Sequence, residues 1–473
     1  MSRLLCAFIF VLGLTFLVWY KVLNLAFLGE SAVYFQPTYR EIVKGGFTSY
    51  WNRHDVFALF FFYYLGDLIK DNFQIYYLIL LFLYALVNYA LYLLVWITTK
   101  SHKTAIFTII IFVVNYFGSF ELLGMGFNYP TFLQRVATLS ILLSSMIFLH
   151  FYHTKKLSKF YFVSIVLYII SLFLAHFNLV LLPLFLIQII LHETSLKFRS
   201  IINIILKCLP YLLISYILIS RQTITGASNQ NLFLFAVSRP TMFRDIMHVM
   251  TITSVPKNIL IFVASVVKIS LDKSYSLMGI VISSVFILIG LKEKKLLFWS
   301  VLFSIPIVII VLIYINGSAF VNQFDTSRYF YIPSMLVSII MGICLVRVIR
   351  SGRFGKLAGL IVLTLLITYN IARIDRGFDA YQEHDDIVNN TFKYVSQKLD
   401  YPTSQKNLVL VSERVGRYNA YLLTRVYGKN NFVFVPENTP GYEKILKNSR
   451  DFDKIIRLEY KDKKILETEI KAL

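Results

Sequence analysis

Apolar stretches of roughly 20 residues, the length a helix needs to cross a bilayer, recur along most of this chain. Residues 75–97, IYYLILLFLYALVNYALYLLVWI, form one of them. In hydrocarbon no water satisfies backbone N–H and C=O groups, so each stretch must close its own hydrogen bonds as a helix. The pattern predicts eleven spans, at 4–28, 74–98, 104–120, 131–152, 160–176, 178–192, 201–220, 275–291, 296–315, 329–347 and 357–372. Composition agrees. Of 473 residues, 57% are hydrophobic and only 15% charged, too apolar a balance for a soluble globular chain.

The net charge of +21 raises nucleic acid as a partner, but its distribution argues against one. Residues 1–372 hold 29 Lys/Arg against 11 Asp/Glu, and residues 373–473 hold 18 against 15. The excess sits in short turns at 99–103, 153–159, 197–199, 292–295 and 347–356. With eleven spans all five turns fall on one side. Basic turns stay in the cytoplasm, which puts the N-terminus inside and the C-terminus outside. No signal-peptide cleavage site follows the first stretch, so that span is expected to be retained. The abundance of Lys, Ile, Phe, Tyr and Asn fits an AT-rich bacterial genome, so the expected location is a plasma membrane. Cys6, Cys208 and Cys344 lie inside apolar runs and read as buried thiols, not as a disulfide framework or metal site.

Two longer segments face outward in this scheme. The first outer loop covers 29–73. Its run Phe57, Phe60, Phe61, Phe62, Tyr63 and Tyr64 suits a helix lying in the interface. The second covers 221–274. It includes KNILIFVASVVKISLDK at 257–273, whose apolar core is too short to span and reads as an interfacial or re-entrant helix. Beyond 372 the period changes. Ile387, Val388, Phe392, Val395 and Leu399 recur at helical spacing. NLVLV (407–411), FVFV (432–435) and KIIRLEY (454–460) read as strands, with a helix near 418–426. The expected architecture is an all-α polytopic membrane protein of about eleven transmembrane helices. Residues 1–372 form the transmembrane domain, its long first outer loop carrying interfacial helices. Residues 373–473 form a small C-terminal α/β domain on the outer side.

Acids are scarce before residue 373, which makes each informative. Glu193 and Glu293 face the cytoplasm in this scheme. Glu30, Glu41, Asp55, Asp67, Asp71, Glu121, Asp245, Asp272 and Asp325 lie outside or at the outer interface. Arg40, Lys44, Arg53, Arg135, Arg221, Arg244 and Arg328 rim that side. Carboxylates within a basic rim suit an anionic ligand and an acid–base step. Glu30 stands at the mouth of span 1. A carboxylate beside hydrocarbon is costly and often functional; as a plain helix stop it would sit in headgroup water. His54 and Asp55, in Trp51-Asn52-Arg53-His54-Asp55, read as ligands or proton handlers, and Asp55 equally as a helix N-cap.

Arg135, one turn into span 4, either snorkels outward or holds a phosphate with its guanidinium fork. His176 lies in a short outer turn, where a lone histidine is more often a turn residue than a ligand. The stretch Phe324-Asp325-Thr326-Ser327-Arg328-Tyr329-Phe330-Tyr331-Ile332-Pro333 opens span 10. Arg328 there joins a guanidinium to a helix N-terminus that already favours anions. The competing reading is a juxtamembrane anchor, which inside-positive sorting disfavours. No convincing GxGxxG, Walker loop, HExxH, CxxC pair or DxD occurs, and the cytoplasmic turns are too short to build a nucleotide site.

An acid just past span 1, interfacial helices in the first outer loop, about eleven spans, the Arg328-Tyr329…Pro333 motif and a soluble outer tail together resemble the GT-C superfamily. These polytopic glycosyltransferases use polyprenyl-phosphate-linked sugars. The resemblance covers 1–372, mostly as architecture. It implies that Glu30 is the catalytic general base, with Asp55 a second catalytic candidate. It implies that Arg328, Arg53 and Arg135 hold the donor phosphate, with Tyr329, His54 and His176 as further site candidates. Tyr34, Tyr39 and Trp51 would stack on sugar or prenyl groups. The acid is Glu where members usually carry Asp, and Ser31 follows where a second acid is common, so Asp55 and Asp67 stay open as the base. No cofactor is required. A divalent cation, Mg2+ or Mn2+, is an option, because such ions take carboxylate oxygens. The expected acceptor is a lipid, a protein or a cell-envelope glycan.

Three other classes stay open, one of them a non-catalytic scaffold that presents the tail domain. A lipid-linked glycan polymerase or ligase would rely on outer Arg and His. A transporter or flippase of an anionic lipid-linked glycan would need charged or broken helices at the midplane.

Overall fold

The computed structural model describes residues 2–24, 73–116, 129–155, 158–174, 176–192, 198–223, 242–254, 264–270, 273, 277–282, 284–285, 331–398, 406–413, 415, 420, 423, 432–437 and 451–470. Its helices are α1 (Ser2–Trp19), α2 (Phe73–Thr99), α3 (His102–Val113), α4 (Tyr129–Lys155), α5 (Ser158–Leu174), α6 (Leu182–His192), α7 (Phe198–Thr223), α8 (Met242–Ser254), α9 (Tyr331–Arg350) and α10 (Arg353–Lys398). Short 3-10 turns follow α1 at Tyr20–Asn24 and precede α6 at His176–Leu181. The strands are β1 (Asn407–Val411), β2 (Phe432–Pro436), β3 (Lys454–Lys461) and β4 (Lys464–Ile470).

Six helices among the described residues are long and apolar enough to cross a membrane: α1 with its 3-10 extension, α2, α4, α7, α9 and the first part of α10. Helices α3, α5 and α6 are apolar but shorter. Most of these elements fall on predicted spans. Residues 277–282 and 284–285 are helical inside the predicted span 275–291. The predicted span 296–315 lies outside the described residues, as does most of the interfacial segment 257–273. The side chains left exposed fit a lipid solvent. On α7 Ile201, Ile205, Leu206, Leu209, Leu213 and Ile217 are all exposed and recur at helical spacing along it. The protein is a mostly helical membrane protein that carries a small mixed sheet.

The chain divides into two compact units. The first comprises Met1–Val18, Phe82–Leu122 and Arg135–Ile374. Within it α3 packs against α9, and Gly342 permits the approach. A Cβ on Gly342 would stand 3.0 Å from the backbone N of Thr108 and 3.1 Å from its Cα. Small residues of this kind let membrane helices close to backbone contact. Polar pairs join other helices. Asn88 of α2 donates to Thr15 Oγ1 of α1 at 3.1 Å, both fully buried.

Helices α4, α5, α6 and α7 share a buried polar knot. Ser145 Oγ donates to Ser164 O at 2.5 Å, and Ser164 Oγ meets the Tyr211 hydroxyl at 2.9 Å. The Tyr168 hydroxyl meets Ser215 Oγ at 2.8 Å. The rings of Tyr168, Phe185 and Tyr211 close the knot at centroid distances of 4.8 to 5.1 Å.

Helix α10 runs unbroken from Arg353 to Lys398. It carries the predicted span 357–372 and the helical pattern that begins at Ile387. No proline occurs between 353 and 398 to stop it. At its start Gly352, with φ +125°, turns the chain out of α9 in a conformation that a side chain would strain.

The second unit comprises Trp19–Leu81, Leu123–Gln134 and Asp375–Leu473. Here Lys21 pairs with Asp375 at 2.7 Å, and Trp19 meets the Phe378 ring edge-on at 6.5 Å. The sheet has the order β2-β1-β3-β4, parallel over β2, β1 and β3, with β4 antiparallel at the edge. Central β1 is buried along its whole length, which is why it reads as an unbroken apolar run. Leu408, Leu410, Val435 and Ile455 form the core, with Phe452 against it. Ile387, Val388, Phe392 and Val395 of α10 are buried, and Tyr394 donates to Glu467 on β4 at 2.6 Å. The crossover from β1 to β2 contains helical residues 420 and 423, inside the expected helix 418–426.

Strand β4 is absent from the sequence reading. Its turn, Asp462-Lys463, takes φ values of 50° and 60°. That is a two-residue hairpin turn without the glycine that usually signals one.

Candidate functional site

Glu30, Arg53, His54, Asp55, Arg328 and Tyr329 lie outside the described residues, as do Asp67, Tyr34, Tyr39 and Trp51. Arg135 has its backbone in α4, and His176 opens the 3-10 turn before α6; their side chains lie outside the described ones. None of the predicted site side chains is therefore brought together with another among the described residues. Arg244, one of the rim cations, is exposed on α8.

What the structure does describe is the framework next to one predicted motif. Tyr331 follows Arg328-Tyr329 by two positions and begins α9. Its ring packs on Phe112 of α3 at 5.3 Å and on Tyr84 of α2 at 6.2 Å. All three are buried. The Tyr331 hydroxyl is buried with no hydrogen-bond partner among the described residues. An unmet buried hydroxyl costs about 1–3 kcal/mol, so the packing of three aromatic rings has to offset it. Just past α3, the backbone N–H of Tyr116 donates to Asn370 Oδ1 at 3.1 Å. The Arg373 guanidinium sits 5.1 Å from the centre of the Tyr116 ring, a cation–π contact. The residues just past α3 are thus tied to α10 by a backbone hydrogen bond and a cation–π contact.

A second polar cluster lies at the ends of α4 and α6, where His150, His153 and His192 bring their rings together. The sequence reading passed over it. The signal was present in Leu149-His150-Phe151-Tyr152-His153, two histidines three apart on one helix face. The third is distant in sequence and joins only through packing. Among the described residues no group of three or more His, Cys, Asp or Glu is arranged to hold a metal ion. The sequence matches no protein-family model and no curated protein.

Proposed function

We propose that this protein is a membrane glycosyltransferase of the GT-C kind. It would move a sugar from a polyprenyl-phosphate donor to an acceptor hydroxyl on the outer face of a plasma membrane. In this reading the chain crosses about eleven times, the N-terminus is cytoplasmic and residues 373–473 lie outside. One observation supports it above others. The six described helices long and apolar enough to cross a membrane carry no Asp or Glu before residue 373. In the arrangement predicted from the sequence, nine of the eleven acids in residues 1–372 face outward, which suits chemistry at the headgroup level, where a lipid-linked donor holds its phosphate. A transporter of an anionic glycan would be expected to carry ionisable groups within its spans.

The proposed step balances simply. Glu30, or Asp55 or Asp67 in its place, takes the proton of the acceptor hydroxyl as general base. The acceptor oxygen attacks the anomeric carbon from the face opposite the phosphate. The bond from that carbon to the phosphate oxygen breaks, polyprenyl phosphate leaves, and the configuration inverts. Arg328, Arg53 and Arg135 stabilise the charge that builds on the leaving phosphate.

The test is sugar transfer from a panel of radiolabelled polyprenyl-phosphate sugars by the purified chain, with membrane extract as acceptor. Glu30→Gln should lower transfer by about 10²-fold or more while leaving donor binding intact. Arg328→Ala should weaken donor binding. Unchanged transfer in Glu30→Gln removes Glu30 from the mechanism and turns attention to Asp55 and Asp67. Neither transfer nor binding with any donor, from folded protein, sinks the glycosyltransferase reading.

A further inference from the structure

The histidine cluster has no part in the transfer reaction proposed above, and its geometry is incomplete. His150 and His153 sit one turn apart near the end of α4, and His192 is the last residue of α6. The rings of His150 and His192 meet edge to face at 5.4 Å and 69°. Those of His153 and His192 stack at 4.7 Å and 10°. His150 is only 8% exposed. Its Nε2 and that of His153 are buried and make no hydrogen bond. His192 is exposed and opens the cluster to the surface of the bundle. Lys207 of α7 stands beside it, Nζ 5.6 Å from the Tyr152 ring centre. Lys100 acts electrostatically on His150, and Lys207 on His153 and His192. No carboxylate among the described residues acts on any of the three rings. Glu193, next in sequence, lies outside the described residues.

Two buried ring nitrogens without partners have lost water without gaining a hydrogen bond, a deficit that a ligand would remove. A metal ion fits badly. Ring nitrogens bind zinc through in-plane lone pairs at about 2 Å. In rings stacked at 10° those lone pairs run side by side and do not converge on one ion. An oxyanion with several oxygens fits better, because each ring can donate to a different oxygen. In the tautomer with the proton on Nε2 each ring can donate, the lysines add positive charge, and no described acid competes. The cluster also lies at helix ends beside the basic turn that holds Lys155, Lys156 and Lys159, the level at which basic pockets between spans take lipid phosphates.

We propose that His150, His153 and His192 form a phosphate-binding site, which takes the phosphodiester of an anionic lipid headgroup or free inorganic phosphate. Both sources share the same oxyanion chemistry.

The test is native mass spectrometry of the full chain titrated with phosphatidylglycerol, with phosphatidylcholine and with inorganic phosphate. Wild type is compared with His192→Phe and His150→Leu. His192 is exposed, so its variant is expected to fold and to carry the test if His150→Leu does not. Wild type should bind phosphatidylglycerol well above phosphatidylcholine, and each variant should lose about tenfold, the equivalent of one charge-assisted hydrogen bond. If inorganic phosphate displaces phosphatidylglycerol, the site takes the phosphate group from either source. If it does not, while the variants still lose the lipid, the headgroup is the ligand. Equal binding of the two lipids with no phosphate binding, or a preference unchanged in His192→Phe, overturns the proposal.

Discussion

In the sheet, Leu408, Leu410, Val435 and Ile455 turn inward, while Lys454 pairs with Glu469 at 3.3 Å and Arg457 with Glu437 at 2.6 Å toward the surface. In the membrane unit the order is reversed. Thr15, Asn88, Ser145, Ser164 and Ser215 are buried between helices, and Leu206, Leu213, Phe162 and Leu357 are exposed. The difference follows from the solvent. Water drives apolar groups of the sheet together and hydrates its charges. Lipid tails are as apolar as leucine, so they offer no such drive, and helices associate through close packing and polar contacts. The same residue type should therefore matter differently in the two places.

The largest expected effect is the sharpest form of that contrast. Leu410 is 1% exposed in the sheet core and Leu206 is 60% exposed on α7. Leu410→Ala should destabilise the sheet by about 3 kcal/mol through lost burial and a residual cavity. Leu206→Ala should stay within about 0.5 kcal/mol, because lipid fills the space and no buried contact is lost. Hydrogen exchange of residues 407–411 and thermal unfolding in nanodiscs read the two. Equal losses would break the comparison and mean that Leu206 is covered by protein.

Packing in the bundle gives the next effect. Gly342→Val places methyl groups where the Thr108 backbone already stands 3.0 Å from a Cβ position. Backbone cannot swing aside as a flexible side chain can, so α3 and α9 must separate. A loss of about 2 kcal/mol is expected, seen as a lower unfolding midpoint in nanodiscs, with Gly342→Ala intermediate. A midpoint unchanged in both variants would mean that these two helices do not make backbone contact.

What was legible in the sequence follows the same division. A bilayer imposes one length on every span, so α2, α4, α7 and α9 could be placed from apolar run length alone. In a parallel sheet the inner strands are apolar throughout, and NLVLV, FVFV and KIIRLEY marked β1, β2 and β3 for that reason. Strand β4, KILETEI, sits at the edge and carries Glu467 and Glu469, and the Lys461-Asp462-Lys463-Lys464 turn before it reads as a charged tail. Which spans touch was not legible. Ser145, Ser164 and Tyr211 look like ordinary members of apolar runs, and only packing joins residues 47 positions apart, as Ser164 and Tyr211 are. The same holds for His192 beside His153. The site expected around Glu30 and Arg328 rested on residue chemistry and on a resemblance. The described framework reaches it only at Tyr331, whose burial beside Tyr84 and Phe112 no periodicity announced.

The smallest effect tests the polar half of the contrast. Tyr211→Phe keeps the ring against Phe185 and Tyr168, at 5.1 Å from each, and removes only the hydroxyl. Ser164 then loses its 2.9 Å partner but keeps Ser145, whose Oγ lies 3.0 Å from its own. Hydrogen bonds between membrane helices contribute about 0.6 kcal/mol on average, because the separated helices also find partners. The unfolding midpoint in nanodiscs should fall slightly. Adding Ser164→Ala should cost less than the sum of the two single changes, since both remove the same contact. Fully additive losses would mean that the two hydroxyls do not share a bond. The knot would then hold these helices by ring packing alone, and the inversion of polar and apolar roles between bundle and sheet would be weaker than the contacts indicate.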